Sequence, residues 1–170
     1  YEIPLRLVGS EMCIRDRPLD VVRLPVPERF CCTVAHPAIM VSTREAREVL
    51  PREIPLRSAV SQWGNVGGLV AGLMSGDVEL VGRSMRDVVA EPHRKRFIPG
   101  FDSLRDAVLE AGALAMNISG AGPSVFALSS SMETAARVGE VMKAHFADRG
   151  ISSDIYVSKV SNRGARVLND

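Results

Sequence analysis

A chain of 170 residues with 46% hydrophobic and 24% charged residues has the make-up of a soluble globular domain, large enough for one core or a core with an appendage. Its net charge of +1 gives no electrostatic footprint for nucleic acid, and no apolar run approaches the roughly 20 residues that span a bilayer. Three cysteines, with Cys31 and Cys32 adjacent and no signal peptide, point to a reducing cytoplasm, and the isolated His36, His93 and His145 offer no metal-ligand spacing.

The first seventeen residues fit poorly with the rest of the chain. Leu7 to Arg17 has neither helical nor alternating periodicity, and it resembles the forward translation of a transposase sequencing adapter beginning near Arg6. Residues 1–17 are therefore set aside as a non-native segment, with natural sequence starting at about Pro18 and more expected upstream. From there Val21–Leu24 and Phe30–Ala35 are β-rich runs separated by Pro25 and Pro27. Ser42 with Glu45 three residues later has the form of a capping box, so a helix should start there, carry Ala46, Val49 and Leu50 inward, and stop at Pro51.

Ala59, Val60, Trp63, Val66, Val70, Ala71 and Met74 make a second helical stripe. Gly64, Gly67, Gly68 and Gly72 lie within it, each costing up to about 1 kcal/mol against alanine, so close packing on a neighbour is the expected compensation. Leu80, Val81, Met85, Val88 and Val89 read as a third helix ended by Pro92, and Phe101, Leu104 and Val108 as a fourth with Gly112 at its end. Ala113–Met116 and Val125–Leu128 flank a glycine loop as strand, turn, strand. A fifth helix runs through Ala135, Val138, Val141, Met142 and Phe146 to Gly150, followed by strands at Ile151–Val160 and Ala165–Leu168. The pattern predicts an α+β fold with helices covering one face of a mostly antiparallel sheet.

Three constellations can carry chemistry. Thr43 and Arg47 stand four apart on one helix face, where a hydroxyl, a planar guanidinium and the positive helix end suit a carboxylate; a solvated face with Arg47 near Glu45 or Glu48 is the plain alternative. Glu91 to Gly100 sets three cations between two prolines, in backbone expected to be irregular, and nothing local selects Arg94 over Arg96 as an inward anion ligand. In Ser119-Gly120-Ala121-Gly122-Pro123-Ser124 the glycines permit left-handed angles and close approach, and Ser119, Ser124 and backbone N–H groups can face an anion. There is no Gly-x-x-x-x-Gly-Lys-Ser/Thr loop, no nucleophile elbow and no evident general base.

Taken together, Val34-Ala35-His36-Pro37, Ser42-Thr43-Arg44-Glu45-Ala46-Arg47, Glu91-Pro92-His93-Arg94 with Ile98-Pro99-Gly100-Phe101, the glycine loop and Gly164-Ala165-Arg166-Val167-Leu168 occur in an order that resembles the C-terminal half of the homoserine kinases. These belong to the GHMP kinases (galacto-, homoserine, mevalonate and phosphomevalonate kinases). The glycine loop resembles their third motif. The resemblance implies a ferredoxin-like α/β sandwich over residues 18–170, the GHMP kinase C-terminal domain with a residual strand region at its start. It implies transfer of the γ-phosphoryl group of ATP, with Mg2+, to L-homoserine on the path to threonine, in an enzyme for which a homodimer is open. Thr43, Arg47 and Arg94 match the family's homoserine ligands, with Arg96 the fallback, and Gly120 matches a backbone contact near substrate. Ser119, Ala121, Gly122 and Ser124 support the phosphate loop; the catalytic residue is not assigned and no metal ligand falls in this chain.

The family's Pro-x-x-x-Gly-Leu-Gly-Ser-Ser loop for ATP is not among the 170 residues, so they are expected to be inactive alone and to expose apolar surface. Two further readings are another GHMP kinase of the mevalonate-pathway type, which would lack the Thr43/Arg47 pair as its carboxylate grip, and a non-catalytic amino-acid-binding module of ferredoxin-like fold.

Overall fold

The computed structural model describes residues 26–161; the segment 1–17, the run Val21–Leu24 and the expected strand Ala165–Leu168 lie outside them. The described chain runs β1 (Cys31–Pro37), α1 (Thr43–Glu48), α2 (Leu56–Ser75), α3 (Val78–Ser84), α4 (Glu91–Arg94), a 3-10 turn at Lys95–Phe97, α5 (Phe101–Glu110), β2 (Ala115–Ile118), β3 (Val125–Ser129), α6 (Met132–Ala147) and β4 (Ser153–Lys159). The four strands form one antiparallel sheet in the order β2-β3-β1-β4. With α5 leading into β2 and α6 joining β3 to β4, this is the ferredoxin-like α+β layer expected from the sequence.

Alternation along the strands sets the core. Thr33 lies opposite Ala127 and Val157, and Ala35 opposite Val125 and Ile155, so these side chains share one face. Over that face α5 and α6 bury Phe101, Leu104, Val108, Val138, Met142 and Phe146, each contributing about 1.5–3 kcal/mol of transfer free energy. Thr33, buried in this layer, is satisfied: its Oγ1 donates to the Ala135 carbonyl at 2.7 Å.

The α2–α3 pair forms a second, smaller core in which Phe30, Val81 and Leu128 meet Leu69, Leu73 and Val78. Gly72 makes this pairing close, since a Cβ there would stand 2.9 Å from both Val81 Cγ2 and Val81 N. Gly68 likewise faces Ser84. The packing expectation fails at Gly64 and Gly67, where nothing lies within 4 Å of an added Cβ. They fall on the outward face of α2, together with Leu56, Val60, Trp63 and Val66, which are 72, 55, 66 and 54% exposed.

Two boundaries also differ from expectation. The stripe read as one helix from Leu80 to Val89 ends at Ser84, and Pro92 opens a helix instead of closing one. The reason is Asp87, whose carboxylate accepts from the N–H groups of Val89, Ala90 and Glu91 at 2.8, 2.8 and 3.2 Å and so gathers the start of α4. Pro92 then sits in the first turn, where its missing N–H is not needed. The Glu91–Gly100 stretch is consequently helical over its first seven residues and not irregular as expected.

Candidate functional site

Helix α1 begins as its sequence predicts. Ser42 is the N-cap, its side chain accepting from Glu45 N at 3.4 Å, and Ala46, fully buried, anchors the helix to the body of the protein. Thr43 opens the helix and Arg47 stands one turn further on, both exposed on the flanks of Ala46. Because α1 has only six residues, Arg47 falls in its last turn, so the helix dipole favours an anion at Thr43 and not at Arg47. The acidic neighbour is taken elsewhere: Glu48 pairs with Arg44 at 2.8 Å. Arg47 has no hydrogen-bond or ion-pair partner among the described residues.

Arg94 joins this helix to the glycine loop. Its Nε donates to the Ala46 carbonyl and one terminal N–H to the Gly120 carbonyl, both at 3.0 Å. A guanidinium has five N–H donors, so three remain for a ligand. The other two cations of the run go different ways. Lys95 pairs with Asp102 at 2.7 Å, and the exposed Arg96 guanidinium lies 5.1 Å from the centre of the Phe97 ring.

The loop between β2 and β3 closes on itself. Ser119 N–H donates to the Ser124 carbonyl at 2.8 Å and Gly122 N–H to the Ser119 carbonyl at 3.0 Å. Those two N–H groups are therefore used within the loop and are not free for an anion. Gly120 and Gly122 take positive φ of 58° and 85°, and it is the Gly120 carbonyl that meets Arg94. Ser124 Oγ lies 2.8 Å from His36 Nδ1, so β1 also holds the loop's far end; Ser119 and Ala121 make no side-chain contact of comparable kind among the described residues.

Arg94 thus links the Gly120 loop to Ala46 of α1, the helix that also carries Thr43 and Arg47. A narrow cavity of about 30 Å³ is lined by Asp87, Glu91, Arg94, Asn117, Ile118 and Gly120. Three of these, Asp87, Glu91 and Asn117, were given no role in the sequence reading. Asp87 gathers the α4 N-terminus, Glu91 anchors the helix inward, and Asn117 Nδ2 donates to the Met85 carbonyl at 2.9 Å. The Glu91-Pro92 pair was the available signal, because proline directly after an acidic residue favours a helix start.

Among the described residues no group of three or more His, Cys, Asp and Glu side chains could hold a metal, and the loop uses two N–H groups internally. Among the same residues no helix is long and apolar enough to cross a membrane.

Residues 69–148 match the family described as GHMP kinases C terminal. The chain is 49% identical over 165 residues to the homoserine kinase of Chlorobium phaeobacteroides strain BS1, covering 95% of this chain and 52% of that protein. It is 45% identical over 166 residues to the homoserine kinase of Chlorobaculum tepidum, covering 96% of this chain and 51% of that protein. Among solved structures, the homoserine kinase of Cytophaga hutchinsonii superposes with a TM-score of 0.82 at 55% identity, over 84% of this chain and 45% of that one. The chain spans about half the length of the curated relatives it matches.

Proposed function

We propose that this chain, whose residues 69–148 match the family described as GHMP kinases C terminal, is the acceptor-binding part of a homoserine kinase. The reaction is transfer of the γ-phosphoryl group of ATP to the side-chain hydroxyl of L-homoserine, giving O-phospho-L-homoserine. ATP, bound with Mg2+ by residues outside these 170, supplies the phosphoryl group. The setting is the cytoplasm.

The observation that carries this reading is Arg94, held by Ala46 and Gly120 with three donors to spare. A planar guanidinium with free N–H groups is suited to a carboxylate, and Arg47 brings a second positive charge on the adjoining helix. Thr43 adds a hydroxyl at the helix start. The chain's own work is positioning: Arg94, Arg47 and Thr43 hold the amino-acid end of homoserine, and its hydroxyl is thereby directed to the phosphoryl donor. The placement of Arg94 favours it over Arg96, which lies over Phe97.

The test is ADP release by a full-length protein that contains this chain, with L-homoserine, mevalonate and phosphomevalonate as acceptors. Turnover with homoserine alone is expected, and none by the 170 residues in isolation. Turnover with mevalonate instead, or homoserine binding without turnover in the full-length protein, overturns the assignment.

A further inference from the structure

We propose that Asp87 and the Glu91–Arg105 pair are positioning residues that set the place of Arg94, so that acceptor affinity depends on side chains that do not touch the acceptor. The inference rests on the homoserine reading above for what Arg94 binds, but its structural half stands without it.

Helix α4 is a single turn, too short to hold its own shape in water. Its geometry therefore comes from outside. Asp87 fixes one end by accepting three successive backbone N–H groups. Glu91, in the first turn, is 7% exposed, and its carboxylate is held by both terminal nitrogens of Arg105. Arg105 is in turn fixed on α5: it donates to the Met116 carbonyl of β2 at 3.1 Å and lies 4.8 Å from the centre of the Phe101 ring. The pair is thus a bracket that ties α4 to both α5 and the edge strand of the sheet.

Arg94 is three residues beyond Glu91 on the same turn. With the turn's near end fixed to the sheet, its guanidinium reaches across to Ala46 on α1 and to Gly120 in the loop. A buried carboxylate on an isolated turn is costly unless paired, which leaves a reason for Glu91 to be where it is only if holding α4 matters. Loss of the bracket releases the turn, and the two carbonyl contacts of Arg94 are the first to be lost.

The primary experiment is nitrogen-15 NMR of arginine Nε–H groups in this chain, with the Arg94 signal identified by its absence in Arg94→Lys. In the unsubstituted chain that signal is expected to be slow to exchange with water. In Glu91→Gln and Arg105→Lys it should exchange at least about tenfold faster and join the exposed arginines, while the β1 and β3 amides keep their shifts. Where Glu91→Gln does not fold, Asp87→Asn reads the same property from the other end of the turn. An Arg94 signal that stays protected in Arg105→Lys and in whichever of the other two folds overturns the proposal.

The functional half is read in the full-length protein. Glu91→Gln should raise the KM for L-homoserine about tenfold or more with kcat and the KM for ATP within about twofold, and should add nothing further in an Arg94→Ala background. An effect on kcat alone, or one fully additive with Arg94→Ala, contradicts it. Absence of homoserine turnover in the unsubstituted protein instead sinks the functional reading and leaves the NMR result to decide the positioning.

Discussion

Arg94 donates to the carbonyl of Gly120 at 3.0 Å across 26 residues of sequence, while a second N–H of the same guanidinium reaches Ala46. One side chain therefore fixes the distance between the helix that carries Thr43 and Arg47 and the glycine loop. Hydrogen bonds from a charged group contribute about 1.5–3 kcal/mol each, enough to change affinity about tenfold or more. Arg94→Ala should weaken L-homoserine binding by at least about tenfold, and Arg96→Ala should leave it within about twofold. Calorimetric titration of both variants in the full-length protein checks this.

Gly120 is the loop residue whose substitution separates shape from space. Nothing lies within 4 Å of an added Cβ, but φ is +58°. Gly120→Ala should therefore cost about 1–2 kcal/mol through backbone strain alone. Denaturant midpoints read the loss, and Ala121→Gly in the same loop serves as a control with no such strain.

The glycines of α2 give a paired test of packing. Gly72→Ala brings a methyl against Val81 and should destabilise by about 1–3 kcal/mol. Gly64→Ala and Gly67→Ala meet open space and should stabilise by about 0.4–1 kcal/mol each. Thermal melts of the three variants should move in these opposite directions.

That contrast shows how much the sequence could say. The helical stripe placed α2 correctly, yet four glycines in it looked alike, and only the docking of α3 tells Gly68 and Gly72 from Gly64 and Gly67. Capping at Ser42 and the β-rich run Phe30–Ala35 were legible because each is a local signal of a few residues. The link at the site was not, because its partners are 48 and 26 residues from Arg94 and carbonyl acceptors have no sequence signature. Pro92 misled for a related reason: proline both ends and begins helices, and Asp87, five residues earlier, decides which.

His145 is buried on α6 beside Phe146, and burial first, then the Arg149 guanidinium, pushes its pKa below the ordinary value of 6.5. A depressed histidine is neutral in the folded protein, so its contribution to stability is fully present above pH 6.5 and is lost as pH falls below that value. Melting temperature should decline on acidification from that point, and His145→Gln should flatten that part of the profile.

The outward stripe of Leu56, Val60, Trp63 and Val66 on α2 should make the isolated chain associate with itself and bind an apolar dye. Replacement of Val60 and Trp63 by Gln should reduce both in sizing and dye-fluorescence measurements. A compact monomer that leaves the dye dark contradicts the expectation.

The most direct measurement is competition at the acceptor site of the full-length protein between L-homoserine and 2-amino-1,4-butanediol, which keeps the amine and the hydroxyl but has no carboxylate. Recognition through Arg94 and Arg47 predicts that the diol binds at least about tenfold more weakly and that the difference vanishes in Arg94→Ala. Equal affinity of the two compounds for the unsubstituted protein would contradict the account.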